Sequence, residues 1–374
     1  MAESMSLDWI LFILFISCSS IQLIIWVCFP GRFLFFRKRE IKKLSFNPPV
    51  SVVICARNES ENLRKNLPYV LEQEYDGLFE VVVVDDASFD STELVLEGFS
   101  KKYPTLRVIR LESKTHPGKK QALSLGVSSA RYDWIVVTDA DCQPSGTKWL
   151  SGILNAADED GIVLGYAPLL YERSKFNTWA RYETLITALQ YFSLSNVGWA
   201  FMGVGRNMAW HRSTFERLSH SQLNWNIPGG DDDLLVNQNQ GVYPIYWTIH
   251  PSTFVYSPAK ATLREWVQQK RRHLSSGFSY RPFHRLLLGG QAFTHSGHYG
   301  FGLILLFVNP SYWIPITSMY FIRLGLVYFL IRKACKLFRE PKIWAWTVLL
   351  DGLMALWVGL FAPMILVLGP KRTW

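Results

Sequence analysis

Three groups of carboxylates in this 374-residue chain sit where they could do chemistry. Asp85-Asp86 closes the run Val81-Val82-Val83-Val84, and Asp139-Ala140-Asp141 closes Trp134-Ile135-Val136-Val137-Thr138. Asp231-Asp232-Asp233 follows Gly229-Gly230 and leads into Leu234-Leu235. Carboxylates bind phosphate only through a cation. Asp139 and Asp141 project to one side if the chain stays extended, because strand side chains alternate. Such a pair suits Mg²⁺ or Mn²⁺, which takes one or two carboxylates, several waters and phosphate oxygens. A lone D-x-D is usually a solvated turn, but the buried strand ahead of this one favours a metal bridging a diphosphate. Three consecutive acids raise one another's pKa, so Asp231 to Asp233 are costly unless a helix N-terminus or a function compensates. Helix capping explains one acid and hardly three.

The cations that would meet a diphosphate are scattered. Gly118 permits close backbone approach, and Lys119 or Lys120 follows it. Arg206 lies in Gly203-Val204-Gly205-Arg206-Asn207, which also reads as a tight turn between strands. Other chemistries are excluded. No glycine-rich turn follows the first strand, so the dinucleotide fingerprint is missing, and Gly118-Lys119-Lys120-Gln121 lacks the Ser/Thr and spacing of a phosphate-binding loop. The five cysteines have no paired spacing, so neither a disulfide framework nor a zinc ribbon is indicated. His295 and His298 have no metal-ligand neighbours and read as residues of a membrane interface.

The elements that must position these groups are those of an α/β domain. Residues 50–56 form an apolar, β-branched run of the kind buried on both sheet faces. Strands are also expected at 80–84, 107–110 and 134–138, with helices around 63–71, 91–100 and 119–130 between them. This alternation predicts a parallel sheet with helices on both faces, and ligands then bind beyond the carboxyl ends of its strands. Asp90 and Ser91 read as caps of the following helix.

The two ends of the chain differ from its middle. Hydrophobic residues make up 49% of the sequence and charged ones only 18%, below the roughly 25% usual for a soluble domain. Residues 9–29 carry no charge and precede Arg32, Arg37, Lys38, Arg39, Lys42 and Lys43, which predicts a transmembrane helix with its N-terminus outside. Residues 299–331 are apolar except for Arg323, and 343–369 except for Asp351. A basic loop, Arg332 to Lys342, separates them. Its charge favours a hairpin in 299–331 turning near 309–315, and so four spans, whereas the length of that stretch favours one crossing. The net charge of +9 therefore reports membrane topology and anionic lipid, and no nucleic-acid partner is expected.

The middle of the chain, roughly residues 50–285, resembles the membrane-associated family 2 glycosyltransferases. The matching segments are VSVVICARNES, VVVVDDASFDST, GKKQAL, VTDAD, GGDDDLL and QKRRH, in the family's order and spacing. The resemblance implies a GT-A type nucleotide-sugar-binding domain and an inverting, metal-dependent enzyme. It places Ala56, Arg57, Glu59, Asp85, Asp86, Lys119, Asp139, Arg206, Gln269 and Arg272 at the donor. Asp141 would ligate the metal directly, and Asp139 would ligate it or contact the ribose. Asp232 would be the catalytic base, with Asp231 beside it. Gly205, Asn207 and His273 would face the acceptor. His273 stands where polymer-forming members have a Trp that stacks on the acceptor sugar, which argues against processive synthesis. The same segment reads as an interfacial basic helix with Trp266 at the lipid surface.

The domains expected are an N-terminal transmembrane helix (1–31), a basic cytoplasmic linker (32–46), the GT-A domain (47–285) and a C-terminal region of two or three spans (286–374). The function expected is transfer of a sugar from a nucleotide sugar, a UDP-sugar favoured, to a hydroxyl of a lipid-linked or membrane-proximal acceptor. The chain would be multi-pass, with a cytoplasmic active site, in a bacterial inner membrane. A processive polysaccharide synthase and a non-catalytic scaffold are the rivals.

Overall fold

The computed structural model describes residues 6–37, 47–116, 118–219 and 230–367. Most of the linker 32–46 and Gly229 therefore lie outside the described residues, as does the side chain of Asp231. The chain divides into two compact units.

One unit begins with α1 (Leu7–Trp26), which continues through a π-helical turn (Val27–Gly31) into α2 (Arg32–Phe36). Pro30 lies in that turn, where its missing N–H is accommodated by the wider winding. The later helices of this unit are given below.

The other unit comprises residues 47–184 and 194–280 of the described chain. Its strands are β1 (Val50–Ala56), β2 (Phe79–Asp86), β3 (Leu106–Leu111), β4 (Trp134–Asp139), β5 (Gln143–Pro144), β6 (Ile162–Gly165), β7 (Met208–His211), β8 (Ile245–Thr248) and β9 (Val255–Tyr256). Among the described residues, seven of them form one sheet in the order β3-β2-β1-β4-β7-β6-β8, and β5 pairs with β9 separately. The first four strands run parallel, as expected. The sheet as a whole is mixed, because β7 runs antiparallel to both β4 and β6. The expectation of a wholly parallel sheet thus holds only for the first half, where helices supply the crossovers. These are α3 (Ser60–Leu71), α4 (Thr92–Lys102) and α5 (Lys120–Ser129). Every residue of β1 is buried, which explains its largely apolar run; the exception, Ser51, donates to Glu80. β1 neighbours β2 on one side and β4 on the other, so the order in which successive strands are added reverses there although all three run parallel. The carboxyl ends flanking that switch point form the natural ligand crevice.

The rest of this unit is helical: α6 (Trp149–Leu154), part of α7 (Lys175–Asn196), α8 (Arg212–Ser219), α9 (Asp231–Asn239) and α10 (Leu263–Ser276). α10 starts from Thr262, whose side chain accepts from Glu265 N, while Glu265 reaches back to Ala261 N. Trp266 does not face lipid: it is 4% exposed and packs edge-on against Phe176 and Trp179. Its ring fills the gap between α7 and α10, and so it cannot serve as the expected interfacial anchor.

The first unit is completed by residues 185–193 of α7 and by α11 (Pro282–Val308), α12 (Trp313–Leu337), α13 (Thr347–Leu356) and α14 (Ala362–Val367). Among the described residues, three helices are long and apolar enough to cross a membrane: Leu7–Phe36, Pro310–Leu337 and Ile343–Met364. α11 is also long, with Pro282 at its first position, but it carries a polar stripe of Gln291, Thr294, His295 and His298. His295 and His298 are interior residues and not interfacial ones. Ser19 Oγ lies 2.8 Å from His298 Nδ1, and His295 faces Asp351 at 3.4 Å. Arg323, wholly buried, bonds Asp351 and Gln22, and Tyr299 donates to Asp351. The two charged exceptions in the C-terminal apolar stretches are thus each other's partners. Arg323→Met is expected to lower stability by about 3 kcal/mol, because it leaves a buried carboxylate without its cation. An unfolding midpoint of the purified protein unchanged from wild type would contradict this.

Candidate active site

The register of the parallel strands sets three tips side by side. Ala56 of β1 pairs with Asp85 of β2, and Cys55 pairs with Asp139 of β4. Beyond β1, Asn58 adopts a left-handed conformation (φ 56°) and accepts from Phe89 N, while its own N–H donates to Ser88 Oγ. Glu59 N donates to Thr92 Oγ1. Asp90 accepts from the N–H groups of both Thr92 and Ser60 and so holds the starts of α4 and α3, whereas Ser91, at the N-cap of α4, makes no side-chain capping bond. The loops after β1 and β2 are therefore clasped together.

Within this clasp Asp85 and Asp86 are enclosed. Asp85 Oδ1 accepts from Ser88 N, and Asp86 lies 2.8 Å from Lys114 Nζ. Asp85 and Asp86 are 1% and 0% exposed. Burial pulls the Lys114 ammonium below the usual lysine range, against the attraction of Asp86. Ala56 is buried, and Arg57 is half-buried at the same edge.

The D-x-D corner is arranged for a cation. Donor atoms of Asp139, Asp141 and Cys142 all lie within 4.8 Å of one another. Burial, and after it the charges of Asp141 and Asp139, raises the Glu59 carboxyl above its ordinary range. Two carboxylates as close as Asp139 and Asp141 suit a hard divalent ion that takes oxygen ligands, so the residues present fit Mg²⁺ or Mn²⁺. Beside this corner stand cations. Lys119 Nζ is 2.9 Å from Asp139 Oδ1. Burial opposes ionisation of Asp139, but Lys119, Arg206 and Arg272 outweigh it and hold the carboxyl below the usual range. Arg206 donates from Nη2 to Ala167 O, and its Nε is buried with no hydrogen-bond partner. His273 is surface-accessible yet recessed among charges. Desolvation in this recess, then the charges of Arg272, Lys270, Arg206 and Lys119, lowers its imidazole below the ordinary histidine range. Gln269 is half-buried and lies one turn before Arg272 and His273 on α10.

Asp232 sits at the start of α9, and both its oxygens are held. Oδ2 accepts from Gly205 N at 2.7 Å, and Oδ1 accepts from Asp233 N at 3.0 Å. A Cβ on Gly205 would fall 2.9 Å from Asp232 Oδ2, so glycine is required for this approach. Arg206, next to Gly205, links Asp232 to the cation cluster around Asp139.

The structure thus brings together Glu59, Lys119, Asp139, Asp141, Arg206, Arg272 and His273, with Gly205 and Asp232 adjoining. Asn207 does not join them. It is fully enclosed, accepting from Trp149 Nε1 and donating to the carbonyls of Tyr166 and Thr253. It braces the loop, and no acceptor could touch it. Lys114, Cys142, Ser276 and Tyr280 were not singled out from the sequence. Cys142 was within reach of inspection, being adjacent to Asp141, but the others meet their acids only across the fold.

Parallel strand tips bearing carboxylates, an antiparallel strand beyond the switch point and a D-x-D corner ringed by cations define the GT-A class of nucleotide-sugar-binding domain. Residues 51–218 match the model described as glycosyl transferase family 2. It is 26% identical over 238 residues to a probable glycosyltransferase, YdaM, of Bacillus subtilis, covering 60% of this chain and 54% of the relative. It is 34% identical over 97 residues to a beta-monoglucosyldiacylglycerol synthase of Nostoc, covering 26% of this chain and 21% of that one. The chain therefore spans about half the length of the first relative and a fifth of the second. Among solved structures it shares its fold with the mannosyltransferase PcManGT of Pyrobaculum calidifontis, solved with GDP-Man and Mn²⁺. The TM-score is 0.60 and the identity 18%, over 94% of this chain and 99% of that one.

Proposed function

We propose that the chain is a membrane-bound inverting glycosyltransferase that moves one sugar from a nucleotide sugar, a UDP-sugar by preference, to a hydroxyl of a lipid-linked or membrane-proximal acceptor. The observation that carries this reading is the gathering of Lys119, Arg206 and Arg272 around Asp139, with Asp232 seated on the neighbouring Gly205. In the reaction the acceptor oxygen attacks the anomeric carbon, and Asp232 takes its proton. The bond from that carbon to the diphosphate breaks, and the departing charge is met by Lys119, Arg206 and Arg272. Asp139 and Asp141 would hold a divalent cation, which when bound neutralises part of the diphosphate charge. Glu59 and Arg57 border the donor, and Asp86 reads it once Lys114 yields.

The three helices of membrane-crossing length support a membrane location. The basic residues after α1 and between α12 and α13 favour a cytoplasmic catalytic domain in a multi-pass protein, as in a bacterial inner membrane. His273 in place of a stacking indole favours single transfer over polymer growth.

A thermal-shift screen of nucleotide sugars with Mn²⁺ or Mg²⁺ on detergent-purified protein is expected to show stabilisation by at least one donor. Labelled sugar should then enter the lipid fraction of membranes containing the chain, one sugar per acceptor. If no donor binds, the enzymatic reading falls. If a donor binds but label never reaches lipid, the acceptor class falls.

A further inference from the structure

Asp233 lies beside the proposed base and faces the other way. Its carboxylate is 7% exposed and accepts from Ser276 Oγ, at the end of α10, at 3.1 Å. Tyr280, 8% exposed, also hydrogen-bonds Asp233. The one hydrogen of Ser276 is shared with the His273 carbonyl, 2.7 Å from Oγ, so Tyr280 is the firmer grip on Asp233 and Ser276 the weaker one. Burial, then the charge of Asp233, raises the Tyr280 hydroxyl well above its ordinary range, which keeps it a donor. The backbone N–H of the same Asp233 holds Asp232 Oδ1. α9 enters this arrangement through Gly230, whose left-handed backbone (φ 85°) leaves 2.8 Å between an added Cβ and the Cβ of Ser276. The start of α9 is thereby pressed directly onto the end of α10.

We propose that Asp233, gripped by Ser276 and Tyr280, is the positioning residue for the catalytic base, setting the direction of the Asp232 carboxylate through its own N–H. The proposal rests on the reading of Asp232 as the base. It assigns the third acid of the cluster a role in geometry and none in proton transfer. The physical ground is that a carboxylate must present a lone pair along the acceptor O–H, and Asp232 has two anchors to set its plane. Gly205 is one and Asp233 is the other. The same grip ties the base to α10, the helix that carries Arg272 and His273 beside the donor.

The test uses the full chain in detergent, with transfer kinetics and the donor-induced thermal shift as readouts. Asp233→Asn keeps an oxygen that accepts from Ser276 and Tyr280, and should retain kcat within about threefold. Asp233→Ala, and the pair Ser276→Ala with Tyr280→Phe, should lower kcat about ten- to a hundredfold, as expected of a misaligned catalytic group. Donor KM and the donor-induced shift should stay within twofold, and Ser276→Thr should restore most of the activity lost in Ser276→Ala. Gln238→Ala removes another tie between this helix and the Ser279 carbonyl and should leave kcat unchanged. Asp233→Asn as inactive as Asp232→Asn would overturn the proposal, because the charge would then matter. So would wild-type kcat in Asp233→Ala, or an equal loss in Gln238→Ala, which would point to general packing. If Asp232→Asn is itself fully active, the base reading fails first, and that outcome is separable from all of these.

Discussion

Asp232→Asn is expected to lower the rate of sugar transfer by about three orders of magnitude, within the usual worth of a positioned general base. The substitution is nearly isosteric. An amide oxygen can still accept from one of the two N–H groups that hold this side chain, Gly205 N or Asp233 N, so α9 should keep its place. What disappears is the ability to take a proton as the acceptor oxygen forms its bond to the anomeric carbon. Loss should therefore fall on kcat, while donor KM and the donor-induced thermal shift stay near wild type. Steady-state kinetics over a range of donor concentrations would check this. Transfer unchanged in Asp232→Asn would remove Asp232 as the base and return attention to Asp231.

Asp141→Ala carries the second large effect, on metal dependence. Asp139, Asp141 and Cys142 place their donor atoms within 4.8 Å of one another, but Asp139 is already engaged by Lys119. Asp141 is then the carboxylate best placed to take a cation, even though the Cys142 thiol points to one of its oxygens at 3.3 Å. Cys142 itself is a poor ligand for a hard ion: burial, then the charge of Asp141, raises its thiol well above the usual range and keeps it protonated. Removing the Asp141 carboxylate should abolish stabilisation of the protein by Mn²⁺ and donor together. Activity should fall about a hundred- to a thousandfold, since metal charge stabilisation of a leaving diphosphate amounts to several kcal/mol. Calorimetric titration of Mn²⁺ into the nucleotide-saturated protein would read the loss without reference to activity. Full wild-type activity in EDTA would rule out the metal site.

Several features of the domain were legible in the residues because they depend on neighbours in the chain. A strand buried on both faces must be largely apolar, and residues 50–56 and 134–138 show this apart from Ser51 and Thr138. The acids follow those runs because strand tips are where polar groups can face a ligand. Caps are equally local: Asp90 and Thr262 serve helices that start within two residues of them. The mixed sheet was not legible, since β7 is only four residues long and its direction is decided by pairing with β4 and β6. Trp266 was misplaced for a related reason. An amphipathic helix with one tryptophan looks alike whether that ring meets lipid or, as here, Phe176 and Trp179.

The membrane-type unit shows the same division. Its apolar lengths are readable, but Arg323 and Asp351 appear in sequence only as blemishes in otherwise continuous stretches. The fold makes them partners and adds His295, Tyr299 and Gln22 from other helices. A charge in an apolar setting is tolerable only when paired and hydrogen-bonded, and pairing across helices cannot be inferred from spacing along one of them.

For the site, the sequence by itself determined which acids and cations are available and on which strand tips and helix ends they stand. Only the tertiary structure decided their company. Asp86 is covered by Lys114, Asp139 stands amid Lys119, Arg206 and Arg272, and Asn207 is walled off by Trp149 and two carbonyls. Asp232 and Asp233, adjacent in the chain, are turned towards different partners, Gly205 for the one and Ser276 and Tyr280 for the other. The reason is physical. Local order follows from torsions and periodicity within a few residues, whereas a carboxylate's charge, direction and access depend on groups that only the folded chain brings within a few ångströms.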